Sequence, residues 1–297
     1  MSSSDTNLGI VVGVDDSATA ELAVKWAARE AELRTLPLTL VHAVSPNLAT
    51  WWDTPLPPGL AEWQKEHGQR VLDAALKVAE QAGRREGPPQ IRSELFSSAA
   101  VPTMIEQSNN AEMVVAGSGN SQTSSGRPLG SVSSALIRHA HCPVAIIHDQ
   151  GPEMEPSSQA PVLVGVDGSS ASELATAIAF DEASRRGVGV SAVHAWSGID
   201  VTEYPGIDWP ATQSAGEHAL ADYLASWQKR YPHVPVSRCV ARDQPARQLI
   251  EHSREAQLLV VGSHGRGGFD GMAVGSVSET VAQLARIPVI VAREMHA

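Results

Sequence analysis

A glycine-rich stretch near the end of the chain has the residue types of an anion-binding site. Residues 258–261 are an apolar run that predicts a buried strand, and five glycines follow within residues 262–271. Gly275 and Ser276 then open a predicted helix over residues 277–286. Glycine lets a backbone approach a phosphate closely, and the free N–H groups at a helix start attract negative charge. The stretch predicts a phosphate-binding loop, with an ordinary turn as the alternative.

The spacing of the glycines separates this loop from two common nucleotide-binding loops. Two residues lie between Gly262 and Gly265, and nine more precede Gly275. A Walker loop would require a Gly-Lys-Ser or Gly-Lys-Thr sequence, which does not follow here. The dinucleotide fingerprint follows the first strand of a domain, whereas this loop follows a late one.

An aspartate follows the first predicted strand in each half of the chain. Asp15 comes after residues 10–14, and Asp167 comes after residues 162–166. Such a carboxylate can bind ribose or adenine. Helix capping and turn formation are the alternative, since Asp15-Asp16-Ser17 also suits the start of a helix. The presence of two copies, each paired with a glycine loop, favours ligand binding.

The two halves of the chain are copies of one unit. Residues 10–17 return as residues 162–169, and residues 130–133 return as residues 275–278. A stretch rich in Pro, Ser and Glu lies between the copies and has the composition of a linker. The predicted organisation is a first domain at 1–149, a linker at 150–160 and a second domain at 161–297.

Apolar strands alternate with helices in each copy. The predicted strands of the first copy are 10–14, 38–44, 91–95, 113–116 and 144–148. Its predicted helices are 20–34, 60–82, 102–109 and 132–139, the first of them capped by Ser17. This alternation predicts an α/β protein with two tandem, doubly wound, five-stranded parallel-sheet domains of Rossmann-like type. In the strand order 3-2-1-4-5, strands one and four are neighbours, so the aspartate and the glycine loop face one crevice.

Composition narrows the class of protein further. The chain has 297 residues, 42% of them hydrophobic, and a formal net charge of −11, which argues against nonspecific binding to nucleic acid. Two cysteines without Cys-x-x-Cys spacing indicate a reducing compartment. Neither an apolar signal core nor a run of 18 apolar residues is present, so we expect a cytoplasmic protein without a membrane span.

These motifs resemble the tandem universal stress protein family, and especially its two-domain mycobacterial members. The most specific parts are residues 12–17, residues 164–169 and the two Gly…Gly-Ser-Val loops, and the resemblance covers 8–149 and 160–294. It implies domains that bind ATP, often with Mg²⁺. It also implies a role in stress survival or growth control, through nucleotide-dependent conformation and partner binding. The last strands of the family pair domains together, so we expect pairing of the two repeats and a homodimer.

The resemblance also implies which residues hold the nucleotide. In the family the first-strand aspartate meets adenosine, the end of the second strand lines adenine, and the glycine loop holds the phosphates. In the first copy the candidate residues are Gly13, Val14, Asp15, Val41, Ala43, Gly117, Ser118, Gly119, Asn120, Gly130, Ser131 and Val132. In the second copy they are Gly165, Val166, Asp167, Val193, Ala195, Gly262, Ser263, His264, Gly265, Gly267, Gly275, Ser276 and Val277. From their charge, Arg127 and Arg266 of the two loops are also expected to contact phosphate, with solvent-exposed loop charge as the alternative.

Catalysis is not expected beyond a very slow ATPase activity, and no catalytic or metal-ligating residue is predicted. Transfer enzymes add a base, metal carboxylates or a His-x-Gly-His motif at the phosphates, and the sequence has none of these. A slow ATP-hydrolysing or adenylyl-transferring enzyme is the alternative, and a flavin-binding electron carrier is a weaker one. His42 and His194 are expected to be core or strand-end residues rather than metal ligands, because no clustered partners accompany them.

The first glycine loop differs from the second at an aligned glycine position. The first glycine loop has Asn120 where the second has Gly265, so we expect the first site to bind more weakly.

Tryptophans gather after the second strand of each copy, where packing against the sheet is favoured over a lid or a partner surface. They are Trp51, Trp52 and Trp63 in the first copy, and Trp196, Trp209 and Trp227 in the second.

Overall fold

The protein divides into two compact units. The structure is a computed structural model that describes residues 7–45, 58–83, 90–119, 129–149, 157–195, 209–242, 244–265 and 274–293. One unit lies within Met1–Asp149 and the other within Gln150–Glu294.

The first unit is a five-stranded sheet with four α-helices. Its strands are β1 (Gly9–Gly13), β2 (Leu38–Ala43), β3 (Ile91–Phe96), β4 (Ala111–Gly117) and β5 (Val144–Ile147). Its helices are α1 (Ala18–Arg34), α2 (Leu60–Ala82), α3 (Ala100–Gln107) and α4 (Ser131–His139). The strand order is β3-β2-β1-β4-β5, and each pair of neighbouring strands is parallel.

The second unit repeats this architecture. Its strands are β6 (Val162–Gly165), β7 (Val190–Ala195), β8 (Val236–Ala241), β9 (Leu258–Gly262) and β10 (Val289–Ala292). Its helices are α5 (Ser170–Arg186), α6 (Trp209–Arg230), α7 (Pro245–His252) and α8 (Ser276–Leu284). The order β8-β7-β6-β9-β10 is again parallel throughout. The predicted α/β class and the order 3-2-1-4-5 are therefore confirmed.

Helices cover both faces of each sheet because parallel neighbours need right-handed crossovers. The chain first adds β2 and β3 on one side of β1, and it then crosses back to add β4 and β5 on the other side of β1. In agreement, α1 packs against α2, and α3 packs against α4. The central strands are consequently buried on both faces, and every residue from Ile10 to Val12 is 0% exposed. This explains why the strands read as continuous apolar runs.

Several helix boundaries lie two residues from the sequence prediction, and two of these shifts have a clear physical reason. Helix α3 begins at Ala100 rather than at Pro102, because proline is tolerated throughout the first turn, where its missing N–H is not needed. Helix α8 ends at Leu284 rather than at residue 286, because Ala285 is already extended. Other predicted boundaries are within two residues of the observed ones, and the predicted cap on α1 is confirmed by the Ser17 hydroxyl, which accepts from Ala20 N–H at 3.1 Å.

The tryptophans do not share one environment. Trp227 stacks on Phe180 with ring centroids 6.0 Å apart, as expected of a packing residue. Trp63 is 55% exposed and stacks on His67, so packing against the sheet is wrong for this residue. Trp51, Trp52, Trp196 and the side chain of Trp209 lie outside the described part of the structure. Within the described helices, none is both long enough and apolar enough to cross a membrane.

Candidate functional site

The two aspartates emerge at the carboxyl ends of their strands, beside the ends of the second strands. The Val14 N–H donates to Val41 O, and the Val166 N–H donates to Val193 O, both at 2.9 Å. The chain therefore stays paired with the neighbouring strand up to the residue before each aspartate. This pairing fixes where Asp15 and Asp167 leave the sheet.

A histidine side chain forms a hydrogen bond to the end of each of these first strands. Nδ1 of His42 lies 2.7 Å from Val14 O, and Nδ1 of His194 lies 2.7 Å from Val166 O. Because a carbonyl oxygen only accepts, Nδ1 is the donor in both hydrogen bonds. The predicted strand-end role of these histidines is confirmed, and their effect is to fasten the residue that precedes each aspartate.

Both carboxylates take part in the start of the following helix. Asp15 Oδ1 accepts from Ser17 N–H at 3.0 Å. Asp167 Oδ1 accepts from the N–H of Ser169 at 2.9 Å and from its hydroxyl at 2.6 Å. The turn-forming role considered for these aspartates is therefore real, and it orients each carboxylate.

The second glycine loop comes back to Asp167. A Cβ atom added to Gly265 would lie 2.6 Å from Asp167 Oδ2, closer than real Cβ contacts come. The Ser169 hydroxyl also lies 3.5 Å from His264 O. The structure thus brings together Asp167 after β6 and the loop after β9, as expected from the adjacency of these two strands.

The loops close onto the helices that follow them. Gly130 N–H donates to Ser118 O at 2.9 Å, and Gly275 N–H donates to Ser263 O at 2.7 Å. In the first loop Gly119 has a φ of +97° and its Cβ position lies 2.8 Å from Gly130 N, so a side chain there would be doubly unfavourable. These bonds place the ends of the loops in direct contact, with only backbone between them.

Helices α4 and α8 begin with glycine N-caps, and their first N–H groups are therefore available to an anion. Gly130 and Gly275 have no side chain that could accept from the first turn. By contrast, serine caps close the starts of α1 and α5. The first N–H groups of a helix have no partner within the helix, and a phosphate at this position satisfies them.

Gly117 and Gly262 are required by packing, independently of any ligand. A Cβ on Gly117 would lie 2.8 Å from the backbone carbon of Thr19, and a Cβ on Gly262 would lie 2.7 Å from that of Ala171. The first turns of α1 and α5 therefore rest directly on the ends of β4 and β9. This reason for the two glycines was not recognised from the sequence.

Two buried serines were also missed as parts of the site. Ser133 Oγ donates to Gly117 O, and Ser278 Oγ donates to Gly262 O, both at 2.5 Å. They are 2% and 4% exposed. Each one ties the first turn of the helix to the end of the strand before the loop. The repeated sequence Gly-Ser-Val-Ser contained this signal, since its last serine returns in both copies.

The remaining predicted residues fall into three groups. Gly13 and Gly165 face Met104 and Leu249, with Cβ positions 3.2 and 3.1 Å from those side chains, so they pack against α3 and α7. Exposed or half-buried positions around the crevice are taken by Ala43, Ser131, Val132, Ala195, Ser276 and Val277. Asn120, Arg127, Arg266 and Gly267 lie outside the described residues.

The described part of the chain has no cluster of three or more His, Cys, Asp or Glu residues arranged to hold a metal ion. The crevice therefore offers a carboxylate, backbone N–H groups and small side chains. Such an arrangement binds a polar ligand that carries hydroxyl groups at one end and an anion at the other.

Comparison with known proteins agrees with this arrangement. The model of the universal stress protein family matches residues 9–148 and again residues 160–293. The chain belongs to the universal stress protein family. A universal stress protein of Mycobacterium tuberculosis is 65% identical over 294 residues, which is 99% of each chain. A universal stress protein of Mycolicibacterium smegmatis is 45% identical over 99% of each chain.

A solved structure shows the same fold at much lower sequence similarity. The universal stress protein of Archaeoglobus fulgidus has a TM-score of 0.73 and 18% identity, and the match covers 98% of this chain and 100% of that one. In the present chain, each family match contains a first strand followed by an aspartate, and a fourth strand followed by glycines and the start of a helix.

Proposed function

We propose that this universal stress protein binds ATP in the crevice of each unit and that the bound nucleotide sets a conformation read by a protein partner. The observation that carries the proposal is the contact between Asp167 and Gly265, beside the glycine-capped start of α8. A carboxylate and an open helix start at one crevice suit the two ends of a nucleotide. Through this binding the protein regulates growth or stress survival, as the family resemblance implies.

The residues of the crevice fit the nucleotide in one orientation. Asp167 accepts hydrogen bonds from ribose hydroxyls, and the strand end at Val193 and Ala195 lies on the adenine side. The N–H groups at the start of α8 and in the loop face the phosphates. Gly275 has room for close approach, since the nearest heavy atoms to a Cβ there are 3.5 Å away. The first unit has equivalent groups for the three parts of the nucleotide. They are Asp15 for ribose, Val41 and Ala43 for adenine, and the start of α4 for the phosphates.

Magnesium accompanies ATP in this proposal. Mg²⁺ is held mostly by phosphate oxygens and water and needs few protein ligands. It offsets the negative charge that ATP brings to a chain with a formal net charge of −11. The ion therefore requires no dedicated cage of carboxylates in the protein.

The proposed role is regulatory rather than catalytic. Phosphoryl-transfer enzymes place a lysine, an arginine finger or a water-positioning residue at the phosphates. The predicted loops offer Arg127 and Arg266 and no lysine. We expect ATP hydrolysis to be absent or very slow. Turnover at around one per second or faster in a sample free of contaminating ATPase, as kinases achieve, would instead support the hydrolase alternative.

The proposal also covers the protein's location, its partners and its oligomeric state. We place it in the cytoplasm, without nucleic-acid partners, and propose that the chain forms a homodimer. Size measurement in solution checks the oligomer separately from nucleotide binding.

The nucleotide that copurifies with the protein tests the proposed ligand. Heat should release it, and its mass should be that of ATP or a product of ATP. A coloured protein that releases a flavin would support the electron-carrier alternative. A colourless protein with no bound nucleotide and no affinity for added ATP would overturn the proposal.

A further inference from the structure

A cavity of about 320 Å³ lies between α1 and α2 of the first unit, beside the residues that begin α1. Its walls are mainly apolar, and Val14, Val24, Val71, Ala75 and Val78 contribute to them. Val24 is 0% exposed, so the cavity reaches down to the core. The volume is at the small end of the roughly 300–1,000 Å³ of typical small-molecule sites.

The second unit has an aromatic side chain at a position that corresponds to the wall of this cavity. Gly68 and Leu72 of α2 match Gly216 and Leu220 of α6 in sequence order and burial, which places Ala75 opposite Tyr223 in the alignment. In the same alignment Val24 matches Thr176, and the Tyr223 hydroxyl lies 3.2 Å from Thr176 Oγ1. Phe180 and Trp227 stack across the same two helices further along them, at positions that are Ala28 and Ala79 in the first unit and lie outside the lining of the cavity.

The fold therefore tolerates a large side chain at the position of Ala75, and the small residue of the first unit is a specific difference between the repeats. Packing alone does not require alanine there, because a tyrosine at the same place serves the second unit. Small residues that leave space next to polar groups are expected where a ligand supplies the missing volume.

The polar groups of the cavity carry more negative than positive charge. Asp15, Asp16 and Glu21 contribute three carboxylates, Arg70 contributes one guanidinium group, and His67 contributes an imidazole ring that stacks on Trp63. Glu21 is already paired with Lys25 at 2.6 Å. Asp15 and Asp16 together therefore outweigh Arg70, and a cationic ligand is favoured over a neutral or anionic one of the same shape.

We propose that this cavity is a binding site for a small molecule that combines an apolar ring with a protonated amine. The ring lies against the valines and alanines between α1 and α2, and the amine faces Asp15 and Asp16. Among the residues that the structure describes, the lining contains no glycine-loop residue, and it shares only Val14 and Asp15 with the predicted nucleotide contacts.

Tryptamine is a suitable probe, with 3-ethylindole as its neutral counterpart and indole-3-propionate as its anionic one. Each is titrated into full-length protein with labelled valine methyl groups and without nucleotide, and the methyl resonances are followed. We expect tryptamine to shift the signals of Val24, Val71 and Val78 saturably. Its affinity should exceed that of 3-ethylindole by up to about fivefold, the range of a partly exposed ion pair. Absence of saturable shifts at these valines, or equal affinity for all three probes, would overturn the proposal.

Variants copied from the second unit make the test specific. The double substitution Val24→Thr with Ala75→Tyr transfers the Thr176–Tyr223 pair into the first unit and should weaken tryptamine binding by at least roughly tenfold, a difference of about 1.4 kcal/mol. Ala61→Tyr, on the exposed start of α2 and outside the cavity, is the matched control and should bind like the parent. Undiminished binding by the double variant would place the probe elsewhere.

A charge variant keeps the proposal testable if the filled cavity disturbs folding. Asp16→Asn leaves the apolar walls intact and lies outside the predicted nucleotide contacts. We expect it to abolish the preference for tryptamine over 3-ethylindole, while ATP binding stays at the parent level. An unchanged preference would contradict the assigned role of the carboxylates. Loss of ATP binding in the parent would bear on the proposed function alone, since the probe titrations contain no nucleotide.

Discussion

Asp167 and Gly265 lie in contact although they are far apart in the sequence: Asp167 Oδ2 is 2.6 Å from the position of a Cβ on Gly265. The contact exists because β6 and β9 are neighbours, so the turn after one strand meets the loop after the other. The carboxylate proposed to bind ribose and the loop proposed to bind phosphate thus lie together in the second unit.

The close contact at Gly265 predicts the effect of a substitution at this position. Gly265→Ala pushes a methyl group into the Asp167 carboxylate, so the carboxylate or the loop must move. We expect ATP affinity at the second site to fall at least about tenfold, equivalent to about 1.4 kcal/mol. Calorimetric titration measures this change. Parent-like affinity would mean that the contact plays no part in binding.

Gly275→Val separates ligand approach from folding. The nearest atoms to a Cβ at Gly275 are 3.5 Å away, an ordinary contact distance, and the residue has a φ of −76°. The fold should therefore accept the substitution, while the added side chain blocks phosphate from the start of α8. We expect unchanged circular dichroism with greatly weakened ATP binding. A variant that binds ATP like the parent would show that the site is elsewhere.

Gly117→Ala should act on stability, because its new methyl group would lie 2.8 Å from the Thr19 backbone. Moving α1 away from the end of β4 costs about 1–3 kcal/mol by analogy with overpacked cores. Thermal unfolding measures the loss. Gly83→Ala is the matched control, since its nearest atoms are 4.0 Å away and it should unfold like the parent. Equal melting temperatures for the two variants would refute the packing role of Gly117.

The buried serine that ties α8 to β9 predicts a contrast with its neighbour. Ser278→Ala removes the hydrogen bond to Gly262 O and should cost about 1 kcal/mol, or about 2–4 °C in melting temperature. Ser276→Ala changes an exposed residue of the same turn and should leave the melting temperature unchanged. Loss of stability in the Ser276 variant alone would contradict the assignment.

The thiol of Cys239 should be a slow nucleophile. Burial raises its pKa above the usual value, and the Glu217 carboxylate raises that pKa further. The reactive thiolate is therefore scarcer at a given pH, and alkylation should gain speed only at a higher pH than for a free cysteine. Iodoacetamide labelling in a Cys142→Ala background measures this, and Glu217→Gln should increase the rate. A rate equal to that of free cysteine would show that the pKa is not raised.

The sequence predicted the fold well because each strand is a continuous apolar run and the chain states its pattern twice. The contact between Asp167 and Gly265 also followed from strand order. The residues around it mostly did not. Gly262 was interpreted only as a phosphate neighbour, and its contact with the Ala171 backbone appears only once α5 is placed on the sheet. Side-chain contacts between distant elements leave no period in a sequence.

The cavity beside α1 was missed for a similar reason. Val24 and Ala75 are ordinary core residues in the sequence, and their importance depends on the missing volume between two helices. Only the comparison with Tyr223 of the second unit shows that a larger residue fits at the position of Ala75. Packing volume is a property of pairs of elements, so composition and periodicity do not reveal it.

Calorimetric titration with Mg²⁺ and ATP of the parent, Asp15→Ala and Asp167→Ala tests the central claim most directly. The account predicts two nucleotides per chain for the parent, with the first site weaker because Asn120 replaces glycine there. Asp167→Ala should remove the tighter binding event, and Asp15→Ala the weaker one. A parent protein that binds no ATP, or two variants that both keep the parent's stoichiometry and affinities, would contradict it.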